Sequence, residues 1–168
     1  HRIVEECMLL ANRVVAEEIP KKLPKKYPFV YRVHADPDQK DVLRFTNLLK
    51  ILNLGIHIPK GELTPNDIKN VLKHVEDSPY RSLIENVALR TMSKAEYSMK
   101  NQGHFGLAFN HYTHFTSPIR RYPDLMVHRM IKMLCNKSIQ EAEAWRELML
   151  KSIMISNEVE LKALSAER

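Results

Sequence analysis

"HYTHFTSPIRRYPDLMVHR", His111 to Arg129, gathers His, Tyr and Phe rings around a Ser-Pro break and two adjacent arginines, with Asp124 its one acid. Ser-Pro is a helix-start signal: Ser117 is expected as the N-cap and Pro118 at the first helical position, where its missing N–H costs nothing. That places Arg120 in the first turn. Free N–H groups and the helix dipole already favour anions there and disfavour a cation. A bound anion or a buried carboxylate offsets the misplaced charge. The competing reading is an Arg120–Asp124 pair one turn on, which Pro123 weakens by disturbing regular helix geometry.

The flanks sharpen the ligand. Phe105, Tyr112, Phe115 and Tyr122 alternate with His104, His111, His114 and His128. Stacking rings among basic groups suit single-stranded nucleic acid. The plainer alternative, that most of these rings are core, applies to at least half of them. Gly103 and Gly106 break the helical period before this stretch, which reads as irregular or short extended pieces; helix resumes at Ser117.

Upstream, "HRIVEECMLLANRVVAEEI" repeats Ile3, Cys7, Leu10 and Val14 at helical spacing, with Glu5, Asn12 and Arg13 on or near the other side and Pro20 as the stop. The basic, proline-broken linker "PKKLPKKYP" follows. "FVYRVH", Phe29 to His34, reads as a short strand. Asp36, Thr64 and Ser78, each followed by Pro, are expected to cap three helices, the first with Gln39 as capping-box partner. These carry Val42, Phe45, Leu48, Leu49 and Leu52; then Ile68, Val71, Leu72 and Val75; then Leu83, Ile84, Val87 and Leu89. A last helix covers about Gln140 to Arg168. The expected class is mainly α with a few short β strands.

The chain has 168 residues, enough for one domain with a core. Gly at 4 and Met at 8 favour helix over a turn-rich β architecture. A net charge of +6 suggests an anionic partner, though only weakly. Cys7 and Cys135 make no CxxC or zinc spacing and read as thiols in a reducing compartment. No apolar run approaches the roughly 18 residues a spanning helix needs. The chain opens at His1, already inside a helical pattern, and is expected to be a piece of a longer protein. His111 and His114 lack HExxH spacing or a Cys partner, so no metal site is expected on these residues. Without a GxSxG elbow, a Ser117 nucleophile is disfavoured. No acidic cluster could hold Mg²⁺ as two-metal nucleases do.

"GHFGLAFNHYTHFTSPIRRYPDLMVHR" closely resembles the motif of the RNase II/RNase R (RNB) family of 3′→5′ exoribonucleases, and "RRYPDL" fits the RNase R branch better. "HRIVEECMLLAN", "YRVHADPDQ" and the closing "ALSAER" extend the resemblance end to end. It implies that residues 1–168 are the C-terminal, helical half of an RNB catalytic domain. The metal-binding half would lie upstream, and flanking OB-fold RNA-binding domains would lie outside the chain. The implied parent is a processive, Mg²⁺-dependent hydrolase of single-stranded RNA that releases nucleoside 5′-monophosphates, its Mg²⁺ held by aspartates preceding "RIVEE". The fragment alone is expected to be inactive, and the parent cytoplasmic, monomeric and free of membrane.

The same resemblance assigns residues. Arg120 matches the arginine on the scissile phosphate. Glu5 matches a glutamate that reads the 3′-terminal ribose, and Glu167 one near the RNA 3′ end. Tyr112, His114, Arg121 and Arg129 fall inside the motif as RNA-channel lining or support. Two other classes stay open: a non-catalytic RNA-binding module on the same fold, and a basic helical domain that binds a protein.

Overall fold

The computed structural model describes residues 1–24, 27–56, 58, 63–136 and 142–166. Its order is α1 (Arg2–Lys22), β1 (Tyr31–Val33), α2 (Gln39–Ile51), α3 (Pro65–His74), α4 (Arg81–Thr91), β2 (Glu96–Ser98), a 3₁₀ turn (Phe105–Leu107), α5 (Tyr122–Cys135) and α6 (Ala142–Ala166). The described residues are mainly helical with one small sheet, as the pattern predicts. They form two compact units: 1–33, 95–104 and 109–168 make the first, and 34–94 with 105–108 the second.

In the first unit β1 and β2 pair antiparallel, Arg32 opposite Tyr97. Periodicity does not announce β2, because three residues are too few to show it. The core joins Ala16 of α1, Phe29, Val30, Tyr97, Met126, Val127 and Met130 of α5, and Trp145, Met149 and Ile153 of α6. The α6 stripe then turns polar. Asn157 accepts the Tyr97 N–H at 2.9 Å and donates to the Tyr97 carbonyl at 3.0 Å. Glu160 pairs with Arg32 at 2.7 Å. Helix and sheet edge are thereby fixed in register.

Two expectations for α1 are corrected. The helix runs two residues past Pro20, tolerable because a proline this close to the end disturbs only the final turn. Its inward side also differs: Asn12 and Ala16 are buried, whereas Ile3, Leu10 and Val14 are 81%, 55% and 43% exposed; Glu5 and Arg13 are exposed as expected. Asn12 goes inward because it meets polar partners there, described below.

The second unit is built by helix caps and one apolar cluster: Val42, Phe45 and Leu49 of α2, Ile68, Val71 and Val75 around α3, and Ile84 and Ala88 of α4, with Leu63 and Phe105. Thr64 makes the expected cap, a full box with Asp67. The other two caps shift. Asp38, not Asp36, caps α2, accepting from the Lys40 N–H at 3.2 Å. Ser78 forms a turn before α4, its carbonyl accepting from Arg81 N–H, and α4 starts at Arg81. On α4 the buried face is Ile84, Ala88 and Thr91, while Leu83 and Leu89 are exposed.

Candidate functional site

The segment from Tyr112 to Arg121 has almost no regular secondary structure, so its backbone groups need partners from elsewhere. They find them in the first unit. Arg32 N–H donates to the Tyr112 carbonyl at 2.9 Å. The Thr113 hydroxyl donates to the Val30 carbonyl at 2.7 Å. Phe115 N–H donates to Asn12 Oδ1 at 3.0 Å, and the Phe115 carbonyl accepts from His128 Nε2 at 2.9 Å. Ser117 N–H donates to Asp124 Oδ1 at 2.9 Å. The Phe115 and His128 rings stack, 4.2 Å apart. Upstream of this segment, Gly103 has φ +72, and a Cβ there would meet the Phe109 carbonyl at 3.2 Å, so any side chain at this position is strained.

The arginines are placed differently from the expectation. Helix α5 begins at Tyr122, not after Ser117. A helix capped by Ser117 would carry Pro123 in its interior, where it lacks an N–H and collides with the preceding turn; starting at Tyr122 leaves Pro123 in the first turn. Residues 117–121 instead form a turn in which the Arg120 and Arg121 N–H groups both donate to the Ser117 carbonyl, at 3.3 and 3.2 Å. The competing Arg120–Asp124 pair does not form: Arg121 takes Asp124, Nη2 to Oδ1 at 2.9 Å. Arg120 is exposed.

This turn and the first turns of α1 line a cleft of about 410 Å³. Glu5, Asn12, Tyr112, Ser117, Arg120 and Arg121 all face it. Four of the expected site residues, Glu5, Tyr112, Arg120 and Arg121, therefore meet, although Glu5 is far from the others in sequence. Tyr112 is buried and its hydroxyl accepts from Asn12 Nδ2 at 3.1 Å. Sequence reasoning missed Asn12, which faces the cleft with Glu5; their seven-residue spacing marks one helix face. It also missed the anchoring role of Asp124, which is fully buried.

Two expected residues lie elsewhere. His114 does not line the cleft; its Nδ1 meets the Tyr97 hydroxyl at 2.8 Å. Burial, then the charges of Arg121 and Arg32, push its pKa down to about 3. Burial likewise pushes Tyr97 up to about 12. His114 is thus a neutral support behind Tyr112, whose ring it meets edge-on at 5.7 Å. Arg129 is exposed on α5, its Nη1 donating to the Tyr122 hydroxyl at 3.2 Å. Glu167 lies outside the described residues.

The cleft does not fit Mg²⁺, which takes oxygen ligands, usually carboxylate and water. Among its described lining residues Glu5 is the one carboxylate, set beside two guanidiniums. No group of three His, Cys, Asp or Glu able to hold a metal occurs among the described residues. Nor is any described helix long and apolar enough to cross a membrane.

The same architecture occurs in solved structures. RNase R from Mycoplasma genitalium, in complex with ribose-methylated single-stranded RNA, superposes with a TM-score of 0.84 at 31% identity, covering 98% of this chain and 26% of that one. Yeast Ssd1, described as a pseudonuclease, matches at 0.74 and 28% identity, over 92% of this chain and 19% of that one. The RNB domain model matches residues 1–137, and the chain belongs to the RNB family. Ribonuclease R of Aquifex aeolicus is 39% identical over 98% of this chain, and that of Escherichia coli 42% over 82%. The chain spans 24% and 16% of those proteins, respectively.

Proposed function

We infer that this chain supplies the phosphate-gripping and 3′-end-reading part of a 3′→5′ exoribonuclease acting on single-stranded RNA. The observation that carries the reading is that Glu5 and Arg120 line one cleft. In this reading the Arg120 guanidinium meets charge developing on the scissile phosphate, and a planar two-pronged donor fits phosphoryl oxygens better than an ammonium does. The Glu5 carboxylate accepts from the terminal ribose 2′-OH, the group that separates RNA from DNA. Tyr112, held by Asn12, walls the cleft. Nucleoside 5′-monophosphates are the proposed products. Mg²⁺ is assigned to carboxylates outside these residues, so the 168-residue chain alone is proposed to be inactive.

The test is single-turnover cleavage of a short RNA, with equilibrium binding at fixed salt, in the full-length protein. Arg120→Ala is expected to slow cleavage on the order of 10²–10³-fold, while affinity falls modestly and the salt slope drops by about one unit. Equal, modest losses in rate and affinity would remove Arg120 from the scissile phosphate. Glu5→Ala is expected to relax discrimination against DNA more than it slows RNA cleavage. DNA oligonucleotides that remain equally poor substrates would return Glu5 to an ordinary helix surface.

A second reading, an RNA-binding module without catalysis, is favoured by one observation: the likeness to yeast Ssd1, a pseudonuclease. It expects RNA binding in the full-length protein with no mononucleotide release when Mg²⁺ is supplied.

A further inference from the structure

We propose that Asp124 is the positioning residue of the Arg120 turn, and that Arg121 serves Asp124 rather than RNA. The proposal rests on the reading of Arg120 as a phosphate contact. Asp124 is 0% exposed, yet it sits four residues from an arginine that faces the cleft. A fully buried carboxylate is costly unless its partners hold it. Its Oδ1 takes two donors at 2.9 Å each: the Ser117 N–H and Arg121 Nη2.

Ser117 is thereby tied through both backbone groups. Its N–H reaches Asp124 on α5, and its carbonyl accepts from Arg120 and Arg121. The turn that carries Arg120 hangs on that one carboxylate oxygen. Arg121, with its side chain 18% exposed, is drawn inward by the same atom. Asp124 Oδ2 and Arg121 Nε are also buried, and neither has a hydrogen-bond partner among the described residues. The pair is therefore held end-on through one oxygen, without the second, parallel bond of a bidentate fork. If the carboxylate charge is removed, the Arg121 guanidinium loses this partner and has the cleft, which Arg121 lines, beside it as an outlet.

Asp124→Asn keeps the size and an acceptor for Ser117 but leaves Arg121 without a counter-charge. In the full-length protein it is expected to lower kcat on the order of 10–100-fold, with KM changed by no more than about threefold. Removing both charges, Arg121→Gln with Asp124→Asn, is expected to restore kcat to within about threefold of wild type, because a neutral pair no longer drives a cation into the cleft. A purely structural role for Asp124 predicts no such rescue, and a double variant as impaired as Asp124→Asn overturns the proposal. So does an Asp124→Asn enzyme with normal kcat.

If Asp124→Asn does not fold, Arg121→Gln alone decides. It is expected to lower kcat while leaving the salt slope of RNA binding unchanged; a slope reduced by about one unit would mean that Arg121 contacts phosphate, against the proposal. Arg120→Ala runs beside these variants. If it is silent, the phosphate reading itself fails; if it is damaged while Asp124→Asn is not, only the positioning role fails.

Discussion

The two units are held together by different forces. In the second, α2, α3 and α4 meet through Val42, Phe45, Leu49, Ile68, Val71, Ile84 and Ala88, and Asp38 and Thr64 cap the starts of α2 and α3. In the first, the Tyr112–Arg121 stretch has almost no regular secondary structure of its own. Thr113, Asn12, His128 and Asp124 hold it by side chain–backbone hydrogen bonds. An apolar cluster tolerates small shifts of its members at modest cost. A hydrogen-bonded strap does not, because each bond has a narrow range of length and angle. On the proposed reading of Arg120 as a phosphate contact, the strap suits a place where one arginine must be held still, and the cluster suits a place where helices need only stay together.

That contrast can be broken most forcefully in the second unit. Phe45 is fully buried, and Phe45→Ala is expected to cost about 3–5 kcal/mol. Amide hydrogen exchange is the readout, with protection lost across α2 to α4 before it is lost in α5. Equal loss in both regions would show that the units unfold as one block and that the distinction has no energetic meaning.

A smaller effect is expected from Asn12→Ala in the first unit. It leaves the Tyr112 hydroxyl and the Phe115 N–H without their partner, at about 1–3 kcal/mol. Cleavage by the full-length protein should fall more than stability suggests, because the strap beside Arg120 loosens. Denaturant unfolding alongside single-turnover cleavage separates the two quantities. Normal cleavage with normal stability would show that the strap does not depend on this anchor.

The smallest effect is a pH dependence. Burial, chiefly, keeps the His114 pKa near 3 in the folded chain, against an ordinary value of about 6.5 unfolded. Between those values the unfolded state binds the extra proton. The stability that His114 contributes is thus present above about pH 6.5 and lost as pH falls through the window toward about 3, by at most ~1.4 kcal/mol per pH unit. Unfolding curves from neutral pH down to about 4 should be less steep in pH for His114→Gln than for wild type. Identical slopes would mean that the ring is protonated in place without cost.

The second unit was largely legible. Thr64-Pro65 with Asp67 announces its helix start within four residues, and Val42, Phe45 and Leu49 recur at helical spacing. Local rules suffice there because caps and periodicity are local physics. They misplace boundaries where two residues can do the same job, as Asp36 and Asp38 can, and where a later proline sets the limit, as Pro123 does for α5.

By itself the sequence determined the helical class and the placement of Phe45 in a helix; Glu5, Tyr112, His114, Arg120, Arg121, Arg129 and Glu167 are grouped by the family resemblance. Only the tertiary structure decided which side of α1 turns inward, that Arg121 rather than Arg120 takes Asp124, and that His114 stands behind the cleft instead of in it. The reason is range. A hydrogen bond from Asn12 to Phe115 leaves no period and no spacing in the chain. Hydrophobic patterning, which reads Asn12 as solvent-facing, cannot anticipate a polar partner that arrives only when distant segments meet.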